Sequence, residues 1–339
     1  VSRFTRVAAI TTIAALVSLT PALAAHAVGT RALGAGESLY AFAGNGWGGS
    51  GSTEFGKMYS LSVADATSTL VGPNTVASTG LYPSSAAYDA ETGAIYWVES
   101  DFNNGTPCYL THADPATGTS TRVAQIMTSN GAAYCNAIAI GDNHNGYMWN
   151  GSVLYALDLD TALATRVTPQ NVNNGIDTVW SFAFNPADSE FYAVGNSNNN
   201  ALFQIDVNAG TVTELVPHAD MPTYGTANSK RLYGITFDSN GVMWGINADT
   251  ELFSALVSNA GADISSTIEE VGSVMSIEPY ALAAVPAAEE SVESGAGEEA
   301  ENNALAETGA GETAAIGTLA ALLLVSASIA AMLRRRSVS

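Results

Sequence analysis

The sequence predicts an all-β fold, a five-bladed β-propeller closed by N- and C-terminal strands, plus a C-terminal transmembrane helix. Three observations lead there. A strand–turn–strand unit recurs roughly every 50 residues, a period typical of repeat architectures. The two ends of the repeated region hold partial units that complete each other. Far downstream, residues 314–333 form an uncharged apolar run of 20 residues, the length a helix needs to span a bilayer core.

The repeat is clearest in residues 84–98 (SSAAYDAETGAIYWV), 181–194 (SFAFNPADSEFYAV) and 233–244 (YGITFDSNGVMW), and residues 136–149 fit with a longer turn. Each reads as an apolar strand, a tight turn and an aromatic strand. The ends of the first strands, Tyr88, Ile140, Phe184, Phe237 and Ala284, are spaced by 52, 44, 53 and 47 residues. A second hairpin follows. Residues 109–114 turn at 115–118 into 121–123, 154–158 run on to 164–167, and 202–206 turn at 208–210 into 211–215. These are period-2 strands bounded by turn formers. Four strands per unit at this spacing is a propeller signature.

The ends set the count. Residues 279–285 look like an opening strand with nothing after it, and residues 38–42, 57–63 and 68–71 look like a unit without its opening strand. Joined, they make a fifth blade and hide two sheet edges. A two-sheet sandwich is the alternative, and it leaves that complementarity unexplained. The repeat resembles the YVTN/NHL-like and quinoprotein-like propellers. That resemblance implies architecture over most of residues 38–285 and imports no catalytic residue, because propellers host unrelated functions.

Outside the repeat the chain reads as an export and anchoring apparatus. Arg3 and Arg6, an apolar stretch at 7–19 and the small-x-small Ala25-His26-Ala27 form a signal peptide, residues 1–27, with cleavage after Ala27. Residues 28–36 read as a linker, 37–286 as the propeller domain, and 287–304 as an acidic disordered stalk, too poor in apolar side chains to offset its ordering entropy. Then come Leu305, Ala306, Glu307, Thr308 and Gly309, the transmembrane helix at 314–333 and a basic tail at 334–339. The pentapeptide, apolar span and Arg334-Arg335-Arg336 in that order resemble the sorting signal of Gram-positive LPxTG surface proteins, in the LAxTG form associated with class E sortases of actinobacteria. The resemblance implies cleavage between Thr308 and Gly309, with a class E-like sortase and covalently attached peptidoglycan as partners. It further implies a cell-wall or cell-surface location reached through transient membrane anchoring. Hydropathy alone also permits a permanent tail anchor.

Charge narrows the partners. The full chain has 11 basic and 32 acidic residues, a net −21. Loss of Arg3, Arg6, Glu312 and Arg334–Arg336 on processing would leave 6 basic and 31 acidic, a net −25. Phosphate backbones would be repelled, which excludes nucleic acid as a partner class. The two cysteines, Cys108 and Cys135, read as a disulfide in an oxidising compartment, against two buried thiols.

In a four-stranded blade the first and third turns share one end of the propeller, and the second loop and the link between blades share the other. The latter are the longer here and read as the binding face. Its candidate contacts are Trp47, Asp101, Asn103, Tyr134, Asn174, Asp177, Trp180, His218, Asp220 and Tyr224. Aromatic rings beside Asn and Asp suit a glycan or a protein ligand. Packing residues and solvated loops are the competing reading. Residues 142–146 (DNHNG) and 101–105 (DFNNG) carry oxygen ligands at short spacing. Calcium is therefore the cofactor considered, against plain turns and no cofactor. An enzyme is the main rival to a binding module. The expected innermost strands hold no carboxylate, whereas glycoside hydrolysis takes a pair, and no HExxH, GxSxG or P-loop occurs. The sequence therefore favours a non-enzymatic surface binding or adhesion module over an extracellular polysaccharide hydrolase or lyase, or a purely structural surface protein.

Overall fold

Alternating apolar strands and Asp/Gly turns fold into five radiating sheets. The computed structural model describes residues 31–43, 56–72, 82–100, 107–167, 176, 178–195, 200–217, 221, 232–247, 249–257, 267–274 and 279–287. No α-helix occurs among them. The chain divides into two units, Val1–Glu289 and Glu290–Ser339. The second unit, with the pentapeptide 305–309 and the apolar run 314–333, lies outside the described residues, as does the segment 1–27. Among the described residues no helix is long and apolar enough to cross a membrane.

Strands β1 (Ser38–Ala43), β2 (Met58–Leu61) and β3 (Ser68–Gly72) pair in sequence. Blade 1 follows as β4 (Tyr82–Asp89), β5 (Ala94–Ser100), β6 (Tyr109–Ala113) and β7 (Ser120–Gln125). A small hairpin, β8 (Met127–Thr128) and β9 (Gly131–Ala132), leads to blade 2: β10 (Ala137–Ile140), β11 (Gly146–Asn150), β12 (Val153–Leu157) and β13 (Leu163–Arg166). Blade 3 is β14 (Val179–Asn185), β15 (Glu190–Gly195), β16 (Ala201–Asp206) and β17 (Thr211–Val216). Blade 4 is β18 (Leu232–Phe237), β19 (Val242–Asn247), β20 (Glu251–Leu256) and β21 (Glu269–Ser273). The last strand, β22 (Pro279–Val285), pairs antiparallel with β1, Leu39 facing Ala284, and completes blade 5 from the opposite end of the chain. The five opening strands β4, β10, β14, β18 and β22 touch in a closed ring. The protein is a five-bladed propeller.

The innermost strands show why the ring closes. Toward the following blade they present small residues: Ser85 and Ala87, Ala137 and Ala139, Ser181 and Ala183, Gly234 and Thr236, Ala281 and Ala283. Toward the preceding blade most are large, as with Ile138, Phe182, Ile235 and Leu282. Wedge-shaped blades meet most closely at the axis, so a small face against a large one gives close packing without overlap. One apolar cluster fills each of the five junctions. Trp97, Trp149 and Trp244 are fully buried in them, each opposite a smaller residue of its innermost strand, Ala86, Ala137 and Thr236. Truncating such an indole to Ala costs about 3–5 kcal/mol.

The inner edge of each opening strand lacks a strand partner, and buried backbone groups need one. Small hydroxyls supply it across the junctions. Ser85 Oγ donates to the Ile138 carbonyl (3.1 Å), Ile235 N donates to Ser181 Oγ (2.9 Å), and Ala284 N donates to Thr236 Oγ1 (3.1 Å).

Four details depart from the expectation. The β8–β9 hairpin extends blade 2 to six strands, β8 pairing parallel with β13. Two-residue strands are too short to show a period. Residues 31–36 are not a free linker. Arg31 N donates to Glu269 Oε2 (3.1 Å) and Leu33 packs on the blade 4–blade 5 core, so ordered structure begins before residue 37. The third turn of blade 4 is long, spanning 257–268. Finally, β4 runs on to Asp89, which puts a carboxylate at the end of an innermost strand.

Candidate functional site

The short-turn end is built by aspartates. Asp114 accepts from Ala116 N (2.8 Å) and Thr117 Oγ1 (3.0 Å), Asp158 from Asp160 N (3.0 Å) and Thr161 N (2.9 Å), and Asp206 from Asn208 N (2.9 Å) and Ala209 N (2.8 Å). Asp and Asn cap their own turns in this way. Those Thr161 hydrogen bonds hold the Asp158 carboxyl below its ordinary range. Part of the acidity of the chain is thus turn chemistry.

Two of the residues just after the strand-end positions are buried aspartates, Asp89 and Asp238. Asp89, 1% exposed, accepts from Thr92 N (3.1 Å) and lies 2.8 Å from His144 Nδ1 of blade 2, with the imidazole as donor. Asp238, also 1% exposed, accepts from Trp244 Nε1 (3.1 Å), Val242 N (2.9 Å) and Asn240 N (3.0 Å). Burial pushes its carboxyl above the usual range, and the Trp244 hydrogen bond only partly offsets this. From blade 5, Glu37 accepts from Ser239 N (3.0 Å) and Gly34 N (2.9 Å), pinning the N-terminal segment onto blade 4.

Residues 142–146, weighed above as a calcium loop, form a hairpin turn. Asn143 and His144 both have φ of 58°, the two positive values a type I′ turn requires. Gly141 N donates to the Asn145 carbonyl (2.9 Å) and Asn145 Nδ2 to the Asp142 carbonyl (2.7 Å). His144 is turned to Asp89. Among the described residues no three His, Cys, Asp or Glu side chains assemble as a metal site. Residues 101–105 lie outside them.

The five strand-end residues Tyr88, Ile140, Phe184, Phe237 and Ala284 line one cavity of about 210 Å³ at the axis of this end. Sequence comparison of the repeats singled out all five as register markers. Their convergence on the axis was not legible there. Glu37, Asp89, Glu91 and Asp142 line the cavity with them, and among the described residues no Lys or Arg does.

At the opposite end β14 begins with a bulge: Val179 pairs with Gly195 and Ser181 with Val194, leaving Trp180 as the extra residue. Blade 1 repeats the bulge at Ser84, blade 4 at Tyr233 and blade 5 at Tyr280. Bulges re-aim side chains and are common beside functional sites. Trp180 and Tyr233 are half-buried, as is Tyr134, whose phenol burial pushes up while a hydrogen bond with Asn136 works against the shift. Tyr233 escaped the sequence reading because a bulge is a register defect, visible only once strands are paired. Cys108 and Cys135 form a disulfide at this end, with Cα atoms 5.9 Å apart. Nearby, buried Glu99 pairs with Arg122, accepts from Trp97 Nε1 (3.3 Å), and Arg122 stacks 4.4 Å from the centre of the Tyr109 ring. The other candidates, Trp47, Asp101, Asn103, Asn174, Asp177, His218, Asp220 and Tyr224, lie outside the described residues, so of that list only Tyr134 and Trp180 are placed.

No family model matches the chain, and no curated protein matches it. Among solved structures it is similar to a symmetrical protein whose de novo emergence was shaped by folding constraints (13% identity, 73% of this chain and 97% of that chain, TM-score 0.43). It is also similar to a Lactobacillus plantarum protein (12%, 66% and 79%, TM-score 0.39) and to TolB from Acinetobacter baumannii (15%, 71% and 54%, TM-score 0.40). These similarities carry no functional argument. The five-bladed ring rests on its strand pairing.

Proposed function

We propose that this chain is a sortase-anchored surface protein whose propeller is a binding module for a glycan or protein, engaged at the long-connection end. The observation that carries the binding reading is the bulge repeated at Ser84, Trp180, Tyr233 and Tyr280. It adds one residue at the same place in four innermost strands, and in three of the four that residue is aromatic. The strand ends around it bracket the connections 44–57, 101–108, 167–178 and 217–231, the long segments on which a rigid ring can mount recognition residues. Half-buried Trp and Tyr are suited to stacking on the apolar face of a sugar or a peptide. The anchoring reading rests on residues 305–309, the apolar run and Arg334–Arg336, in that order. It makes peptidoglycan and a class E-like sortase the partners and Thr308 the mature C-terminus.

One set of cells tests both parts. Cells displaying the wild-type chain should bind a subset of a surface-glycan and protein array, and Trp180→Ala with Tyr233→Ala should reduce that binding at least tenfold, about 1.4 kcal/mol. Equal binding by wild type and double variant would remove the site. Thr308→Ala should move the protein from the wall fraction to the detergent-soluble membrane fraction. If both forms are equally detergent-soluble, the chain is a permanent tail anchor.

A further inference from the structure

The cavity at the short-turn end plays no part in the function proposed above, and its lining has a distinct chemistry. Three of the five strand-end residues are aromatic, Tyr88, Phe184 and Phe237. Ile140 and Ala284 complete an apolar floor. Glu37 and Asp89 are committed to Ser239, Gly34, Thr92 and His144. Glu91 and Asp142 stand exposed at the rim, and no hydrogen bond or ion pair reaches their carboxylates among the described residues.

An aromatic floor under carboxylates selects strongly by charge. Ring faces attract a cation, and more so once water is excluded. Anions are repelled by the rim and by a chain of net charge −21. Size narrows the ligand further. A cavity of about 150 Å³ holds benzene, so 210 Å³ admits a group the size of butylammonium. We propose that the short-turn mouth binds a small alkylammonium group, with the chain on the aromatic floor and the charge between Glu91 and Asp142. That group is either a free amine or a lysine side chain, which present the same chemistry. The inference is independent of the glycan or protein site because it concerns the opposite end of the ring.

The test is calorimetric titration of the full chain with n-butylammonium, n-butanol, butyrate and the blocked peptide acetyl-Gly-Lys-Gly-amide. Saturable binding of butylammonium, with butanol and butyrate at least about tenfold weaker, is the expected result. Glu91→Gln with Asp142→Asn should weaken it about tenfold, and these exposed substitutions leave the fold intact, as an unchanged unfolding midpoint would verify. Phe184→Leu keeps bulk and removes the ring, and should weaken the amine while leaving butanol unchanged. Peptide binding as tight as butylammonium assigns a lysine side chain as the source, and weaker peptide binding assigns a free amine. No saturation with butylammonium, equal binding of butanol, or indifference to the double variant would each overturn the proposal. Loss of array binding by Trp180→Ala with Tyr233→Ala is read separately, so the two sites fail independently.

Discussion

At the short-turn end the chain reverses through turns closed by their own Asp and Asn side chains, such as Asp114, Asp158 and Asp206. At the other end it crosses longer connections held by non-local ties, the Cys108–Cys135 disulfide and the buried Glu99–Arg122 pair. The difference follows from length. A four-residue turn can satisfy its backbone with one capping side chain. A connection of a dozen residues cannot, and its ordering entropy must be offset by a crosslink or by burial. One end is therefore built largely from local chemistry, with the Asp89–His144 and Glu37–Ser239 contacts joining adjacent blades. The other is free to vary, which suits recognition.

The largest expected effect tests the covalent tie. Cys108 and Cys135 lie 27 residues apart, and replacing both by Ala should lower stability by about 3–4 kcal/mol in urea unfolding. Hydrogen exchange should rise first around Cys108, Ala133 and Cys135, with Gly93 and Ala162 amides still protected. A uniform rise over both ends would break the comparison.

An intermediate effect belongs to the buried carboxylate of the short-turn end. Asp238 has a folded pKa above its unfolded value, so the folded state holds its proton more tightly. Stability from this group is present at low pH and is lost as pH rises from the ordinary carboxylate value through the raised folded one. Asp238→Asn removes that loss. Its unfolding free energy relative to wild type should therefore improve as pH rises above the ordinary carboxylate value. A difference that stays constant with pH would show that burial of this charge costs nothing.

The smallest effect separates turn geometry from turn capping. Ser189 closes the first turn of blade 3 at φ 59°, where blade 1 has Gly93 at φ 70°. A left-handed conformation costs a non-glycine residue about 1–2 kcal/mol. Ser189 is exposed, so Ser189→Gly should stabilise by about 1 kcal/mol without loss of burial. Gly93→Ser, where a Cβ would meet nothing within 4 Å, should cost a similar amount. Responses of the same sign, or of clearly unequal size, in thermal melts would mean that the two turns are not equivalent.

Much of this architecture was readable in one dimension. Alternation of apolar residues and the Asp-x-x-x-Gly turns are local signals, each decided within about ten residues, and their recurrence at Tyr88, Ile140, Phe184, Phe237 and Ala284 gives the period of the repeat. The incomplete units at either end were enough to foresee that β22 would join β1. What depended on the fold was everything set by register between blades. The small faces that meet Ile138 and Phe182, the Asp89–His144 contact across 55 residues, and the convergence of five strand ends on one cavity each require two sheets to be placed together. So do the bulges at Trp180 and Tyr233, which are offsets against a partner strand and leave no mark in composition. Sequence by itself determined which residues become strands and turns, because those choices are made by side-chain alternation and backbone preference. Only the tertiary structure decided which residues share the axis, because that is set by packing between segments roughly 50 positions apart.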